Sequence, residues 1–593
     1  MEYSELVEVY EKIEGTSKRL LKTYHISELL KKTSVDELGI VMLLLQGKIF
    51  PAWDETKIGM SEKLILKAIN KATGADAKKI ESEWKKIGDL GKVTQNLTHT
   101  KSQATLFSSK LTIKKVFDNI RKLATLTGEG TVDKKVSLVS ELLTSASPSE
   151  AKYIVRTVLE ELRVGVGEGS LRDAIVWAYF GDEIGVKYDF EKNDITLDDE
   201  KREKFKEVVD ITQRAFDLTN EFSEVAKTAK TVGVSGLLDM KLLPGKPIKV
   251  MLCQKVAGVE EGFETVGTPA QIEFKYDGFR MQIHKVNGKI TIYTRRLENV
   301  TAQFPEVVAT VLKHVKGEDF LIDGEAVGFD QKTGKYLPFQ SVSQRIRRKY
   351  DIEETAKDLP IELNLFDILY HDGKDCSKVP LDKRRELLEK IVSPVKRKIV
   401  IAKVDYTDNV EEARRFYEEA LKAGNEGIIM KRHDSVYKPG SRVGGWVKIK
   451  PVMESLDVVI VGAEWGEGKR SGWLTSFTVA VLDESGEPVE IGKVGTGIKE
   501  LEQAEGSEGG VTFDELTKLL KPLIISEKGK EVKVKPKIVI ELNYEEIQKS
   551  PTYSSGYALR FPRLVRLRED RSADDTSTLE MVEEFYFAQR GRN

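Results

Sequence analysis

The chain has 593 residues, too many for one hydrophobic core, so roughly three or four domains are expected. Hydrophobic residues make up 40% and charged residues 32%, the balance of a soluble folded protein, and 94 basic against 96 acidic residues leave a formal charge of −2. The cysteines, Cys253 and Cys376, far apart and outside any C-x-x-C pair, argue against a disulfide framework or a structural zinc site, and the apolar stretch GIVMLLL (39–45) is too short to span a bilayer. The N-terminal MEYSELVEVYEKIEG is charged and helix-like rather than a signal peptide, which with the free thiols points to an intracellular, reducing compartment. Near-neutrality does not exclude a nucleic-acid partner, because a basic lining can coexist with an acidic exterior.

Residues 1 to about 230 read as helix after helix. SELVEVYEKIEG, KLILKAINKATG and LTIKKVFDNIRKLATL space their apolar residues three and four apart and carry glycines near their ends. ELRVGVGEGSLRDAIVWAYF (161–180) is a glycine-rich turn feeding a helix N-terminus, which serves either as a plain connection or as a phosphate cradle. GVSGLLDMKLLPGKPIKV breaks the pattern, so a boundary falls near 231. From 270 to 450 strands (QIEFK, FRMQIHKV, KITIYTRR, DFLIDGEAVGF, IELNLFDILY, GIIMKR, WVKIK) alternate with helices such as VEEARRFYEEALKAG, as expected of a mixed α+β domain. After Pro451 short strands with glycine turns suit a small barrel, with an OB-fold as the leading form. The expected organisation is therefore a multidomain chain: all-α over 1–230, α+β over 231–451, β-barrel over 452–593.

The chemistry gathers in the middle domain. EFKYDGFRMQIHK (273–285) reads as two strands around an Asp-Gly turn, with Glu273 and Lys275 on one face and Arg280, Gln282 and His284 on a polar face after the turn. A cation beside Lys275 would lower its pKa and make it a nucleophile for a carbonyl carbon or a phosphorus; a solvated pair at a hairpin end is the other reading. Lys-x-Asp-Gly arises readily by chance, so its weight depends on its companions. Asp323 and Glu325 in LIDGEAVGF share a strand face, and Glu426 starts the strand of NEGIIMKR; such carboxylates suit a hard divalent cation held together with phosphate oxygens. WVKIKP places Lys448 and Lys450 on one face with Val447 and Ile449 buried, and YALRFPRLVRLREDR gathers Arg560, Arg563, Arg566, Arg568 and Arg571 into a phosphate-matching cluster. A nucleophilic lysine, metal carboxylates, paired lysines and an arginine cluster together describe nucleotidyl transfer.

The ordered set KYDGFR, YTRR, FLIDGEA, LFDILY, EGIIMK, WVKIK and ALRFPRLVRLRED resembles the motif series of ATP-dependent DNA ligases, within the covalent nucleotidyltransferase superfamily. WKKIGDLG (84–91) and ELRVGVGEGSLRDA (161–174) extend the resemblance to the helical DNA-binding domain of the three-domain archaeal and eukaryotic replicative type. The resemblance implies that Lys275 becomes covalently adenylated by ATP. Glu273 would lie beside the adenine, with Phe366 stacked on one face and Ile429 on the other. Arg280 and Arg295 would contact the ribose and the region of the nick's 5′-phosphate, and Asp277 would order the nucleotide and the 3′-hydroxyl end. Glu325 and Glu426 would act through Mg²⁺ (or Mn²⁺), Lys448 and Lys450 would grip the α-phosphate, and Arg560 and Arg563 would orient the leaving pyrophosphate. The implied substrate is nicked duplex DNA, in replication, repair and recombination, handled by a monomer in the cytoplasm at the nucleoid with no membrane contact. A mobile hinge near Lys450–Glu454 is implied as well.

QATLF (103–107) resembles a short sliding-clamp-binding box, with Gln103 as the polar plug and Leu106 and Phe107 as apolar anchors; a loop with two core residues is the alternative. An RNA ligase or an mRNA-capping guanylyltransferase shares Lys-x-Asp-Gly, but neither ordinarily carries a helical domain like 1–230. An NAD-dependent ligase would need a zinc-binding cysteine cluster that two cysteines cannot build.

Overall fold

Amphipathic periodicity becomes helices first. In a computed structural model of the chain, helix Tyr3–Glu14 buries Leu6, Val7, Tyr10 and Ile13 on one stripe and ends at Gly15, while helix Glu62–Thr73 stops at Gly74 in the left-handed conformation. The structure describes all residues except 52, 55, 100–109, 127, 129, 198, 349, 441, 452, 453, 467–469, 471, 501–509 and 590–593. Gln103, Leu106 and Phe107 therefore lie outside the described residues, as does part of the expected hinge. Helices run on to Val234–Asp239 around a single core, interrupted by the small hairpin Lys187–Asp189 with Asp194–Thr196. The glycine-rich 161–167 segment leads into helix Glu168–Ile184, whose N-cap is Gly167.

The central region builds two sheets. One orders strands Ile399–Ile401, Ile361–His371, Phe320–Gly328, Phe279–Val286 and Lys289–Tyr293, with the short Lys374–Asp375 strand paired onto Ile361–His371. The other orders Val404–Thr407, Ala270–Lys275, Gly427–Arg432, Arg442–Ile449 and Leu252–Lys255. Strands 270–275 and 279–286 belong to different sheets, so the expected hairpin at Tyr276–Gly278 is instead a crossover from one sheet to the other. Each strand finds longer partners elsewhere: six register pairs join 270–275 to 427–432, and seven join 279–286 to 320–328. Gly278 is required where the sheets meet, because a Cβ there would stand 2.2 Å from the Ala326 carbonyl oxygen.

Two further expectations change. The polar face carried by Gln282 and His284 is not open: the segment before Met251 covers it, with the Ile248 N–H donating to Gln282 Oε1 (2.8 Å) and the Gly245 N–H to His284 Nδ1 (2.8 Å). Burial, and then Arg280, push His284 down to about 3, so it is a neutral acceptor. The helical region also enters the central one, with Leu218 buried among Leu242, Ile248, Met251, Tyr437 and Trp446.

The C-terminal region is strand-rich around a core of its own. Strand Leu456–Trp465 pairs with Leu474–Leu482 on one side and with Glu531–Val534 and Val539–Asn543 on the other. Among the described residues no helix is long and apolar enough to cross a membrane.

Candidate active site

Period-two alternation and strand register assemble the site in three rows. Ile272 and Phe274 of strand 270–275 turn into the core, which leaves Gln271, Glu273 and Lys275 on the other face. Across the sheet Lys275 faces Gly427, Glu273 faces Ile429 and Gln271 faces Lys431. On the next strand Ile429 faces Lys448 and Lys431 faces Trp446, and Lys448 in turn faces Lys255. Val447 and Ile449 are buried as the alternation requires. The rows are thus a lip (Lys275, Gly427 and the neighbouring Lys450), a middle (Glu273, Ile429, Lys448) and a back (Tyr406, Gln271, Lys431, Trp446).

At the lip, Glu426 Oε2 lies 2.6 Å from Lys275 Nζ and 2.6 Å from Lys450 Nζ. The Glu426 N–H donates to the Lys275 carbonyl at 2.8 Å, which locks the two residues together through the backbone as well. Burial alone would push Glu426 up, but the two ammonium groups hold it well below the ordinary carboxylate range. Glu325 has the opposite fate: burial, only partly offset by Lys275, and repulsion from Glu426 push it up to about 8. Burial pulls Lys275 down, yet Glu426 and then Glu325 more than offset it, so its pKa lies above the ordinary value. The expected lowering by Arg280 does not occur, because Arg280 is itself engaged: its guanidinium donates to Asp323, while Glu325 stands opposite it in register. Lys448 is lowered, by burial first and then by Lys450 and Lys275.

The remaining expected residues divide. Asp277 is buried, and its carboxylate accepts from the Phe339 N–H at 3.2 Å, fastening that segment to the crossover. Phe366 is half-buried, with its ring 5.1 Å from Lys431 Nζ. Arg295 is exposed on the turn after strand 289–293 and makes no ion pair among the described residues. Arg560 is paired with Glu546 at 3.1 Å, and Arg563 is exposed. The rest of the arginine run is not a free phosphate-binding cluster: Arg566 pairs with Glu541 (2.7 Å), and Arg568 and Arg571 both pair with Asp457 (2.7 and 3.3 Å). Those acids come from distant strands, so the run alone could not reveal them.

The back row was missed as a functional group. Its signal was strand parity, since Gln271 and Lys431 sit two positions from Glu273 and Ile429. Among the described residues no group of three or more His, Cys, Asp or Glu is placed to hold a metal. Glu325 and Glu426 are the carboxylates at the lip, and two carboxylates with phosphate oxygens and waters are an ordinary Mg²⁺ donor set.

A helical region joined to a two-sheet region that gathers lysines and carboxylates, followed by a strand-rich module, defines a nucleotidyltransferase built to act on nucleic acid. Family comparison is specific within that class. Residues 250–450 match the ATP dependent DNA ligase domain, 2–176 the DNA ligase N terminus, and 470–571 the ATP dependent DNA ligase C terminal region. The DNA ligase of Nanoarchaeum equitans is 46% identical over 593 residues, covering 100% of this chain and 99% of that protein. Those of Thermococcus onnurineus and Archaeoglobus fulgidus are 44% and 41% identical, each covering 99% of this chain and 98% and 99% of their own length. A solved structure described as Pmar-Lig_Pre covers 95% of this chain and 99% of its own at TM-score 0.55 and 16% identity, a likeness of fold. The chain belongs to the ATP-dependent DNA ligases, and it is a DNA ligase.

Proposed function

We propose that this enzyme seals nicks in duplex DNA through a lysyl-AMP formed on Lys275. The observation that carries the reading is the Lys275–Glu426–Lys450 cluster at the lip. Lys275 Nζ gives up a proton to solvent and attacks the α-phosphorus of ATP; a P–N bond forms as the bond to the β-phosphate oxygen breaks, and pyrophosphate leaves. An oxygen of the nick's 5′-phosphate then attacks the same phosphorus, breaking P–N and moving AMP to the DNA. The 3′-hydroxyl attacks the activated 5′-phosphorus, forms the phosphodiester and releases AMP. Lys448 and Lys450 neutralise α-phosphate charge, Glu273, Phe366 and Ile429 surround the adenine, and Arg280 and Arg295 serve the ribose and the 5′-phosphate region. Asp277 orders the nucleotide and the 3′-end, and Arg560 with Arg563 orients pyrophosphate.

Glu325 and Glu426 would hold a divalent cation, Mg²⁺ or Mn²⁺, which supplies Lewis-acid neutralisation of phosphate oxygens when bound. Burial first, and then repulsion from Glu426, raise Glu325, which fits a carboxyl whose charge a bound cation would stabilise. We read the C-terminal region as an OB-fold, supported by the way strand 456–465 changes partners along one edge, as a bent barrel strand does. The proposed units are 1–230, 231–451 and 452–593, acting as a monomer, with Gln103, Leu106 and Phe107 offered to a sliding clamp on sequence grounds.

Intact mass after incubation with ATP and Mg²⁺ tests the nucleophile. The wild type should gain one AMP, reversibly with pyrophosphate, and Lys275→Ala should gain none. An adduct on the variant would move the nucleophile elsewhere.

A further inference from the structure

The back row forms one hydrogen-bonded chain directed at Glu273, buried except at its outer end, where Tyr406 is 45% exposed. Lys431 Nζ lies 2.5 Å from Glu273 Oε2, and Gln271 Nε2 donates to Glu273 Oε1 at 2.5 Å. Tyr406 OH donates in turn to Gln271 Oε1 at 2.8 Å. Glu273, Lys431 and Gln271 are 2%, 1% and 0% exposed. The Lys431 ammonium is also held against two aromatic faces, 4.3 Å from the Trp446 ring centre and 5.1 Å from that of Phe366. The Trp446 indole N–H is anchored on Ser435 Oγ at 3.2 Å. Among the described residues Glu273 is the carboxylate that Lys431 pairs with.

This arrangement has a chemical consequence for what the site accepts. A carboxylate has about four lone-pair sites and no donor. Two of them are taken from behind by Lys431 and Gln271, which leaves the rest for the middle row. An acceptor-only group there matches a purine whose 6-position is an amine and repels one whose 6-position is a carbonyl. We propose that Lys431 is a specificity-determining positioning residue: paired with Glu273, it leaves that carboxylate an acceptor only, so the enzyme takes 6-aminopurine nucleoside triphosphates and refuses 6-oxopurine ones. The inference rests on the reading of Glu273 as the residue facing the base. Without the ammonium, a buried carboxyl has no cation to pair with and takes up a proton. Its O–H then offers the donor that a 6-carbonyl needs. A site built to bond a substrate's polar group rejects an analogue that cannot answer it by as much as ~10⁴-fold, so the effect is large enough to read.

The experiment uses the full-length enzyme and follows single-turnover formation of the nucleotidyl-enzyme by intact mass, with ATP or inosine triphosphate as substrate; the latter differs from ATP in carrying a carbonyl at the 6-position and, with it, an N1–H. Lys431→Met keeps an unbranched stem between Trp446 and Phe366 but removes the charge, and the ATP-to-ITP ratio of rate over half-saturating concentration should fall at least ~10-fold. Lys431→Arg should keep the wild-type preference. If Lys431→Met does not fold, Lys431→Gln carries the same expectation. A variant that slows both nucleotides equally, with an unchanged ratio, would show that Lys431 only supports the sheet and would overturn the proposal. Glu273→Gln separates the premise from the inference, since its amide supplies a donor directly. A ratio shifted by Glu273→Gln but not by the Lys431 variants defeats the proposal alone. A ratio moved by neither defeats the placement of Glu273 at the base as well.

Discussion

Gly427→Ala asks whether the positions of the lip side chains, rather than their presence, set the adenylation rate. Gly427 sits at φ +140°, and a Cβ there would stand 2.1 Å from the Ile449 carbonyl oxygen and 3.3 Å from Lys450 Cα, where ordinary contact begins at 3.4 Å. Both obstacles are backbone, so no side-chain rotation relieves them; the strands must part by more than an ångström. Glu426 precedes this glycine, and Lys448 and Lys450 flank Ile449 on the strand that would be pushed away. The backbone strain itself costs about 1–3 kcal/mol, too little to unfold a protein with separate cores. A reacting group misplaced by about an ångström loses on the order of 10²-fold in rate, which is the expected effect. The assay is single-turnover formation of enzyme-AMP at saturating ATP, with a thermal melt to confirm folding. Adenylation by a folded Gly427→Ala protein within about threefold of wild type would refute the reasoning.

Other expectations follow from the same geometry. Asp217, buried where the helical region meets the central one, is pushed up to about 6 from 3.8, by burial first and with a contribution from Glu168, although Gln213 donates to it at 2.9 Å and Lys249 lies 3.7 Å away. A carboxyl that binds its proton more tightly when folded is most favourable below its unfolded pKa and loses stability as pH rises through the folded one; two units correspond to about 3 kcal/mol. Asp217→Asn should therefore gain up to about 3 kcal/mol on wild type between about pH 4 and pH 7, read from denaturant titrations, and parallel pH profiles would contradict it. Glu426→Gln leaves Lys275 and Lys450 without their shared anion, and removing one partner of a buried ion pair costs about 3–5 kcal/mol. The variant should melt lower and form little enzyme-AMP, so an adduct at the wild-type rate would count against the lip assignment. Phe107→Ala should abolish stimulation by a sliding clamp while leaving clamp-free ligation intact, and undiminished stimulation would remove the clamp box.

How far the sequence reaches depends on how local the physics is. Strand parity is local: it put Glu273 with Lys275, Asp323 with Glu325, and Lys448 with Lys450 before any partner strand was known, because successive side chains must alternate faces whatever lies alongside. Helices such as Tyr3–Glu14 and Val410–Lys422 were equally legible from their apolar spacing and end residues. The motif order was enough to point to a DNA ligase. What the sequence could not carry was which strands become neighbours. The KYDG segment resembled a hairpin because Asp-Gly favours turns, but each flanking strand gains more pairing in its own sheet. The cation expected to tune Lys275 was Arg280, while the group that governs it is Glu426, whose approach depends on strand 427–432 lying beside strand 270–275. Likewise Asp457 and Glu541 answer three of the arginines, and Lys431 answers Glu273, across gaps of 158 residues and fewer. The sequence by itself determined the chemical inventory and the face each residue occupies, since both follow from residue identity and backbone period. Only the tertiary structure decided which charges are paired, because Coulomb and hydrogen-bond energies depend on distances that chain folding alone sets.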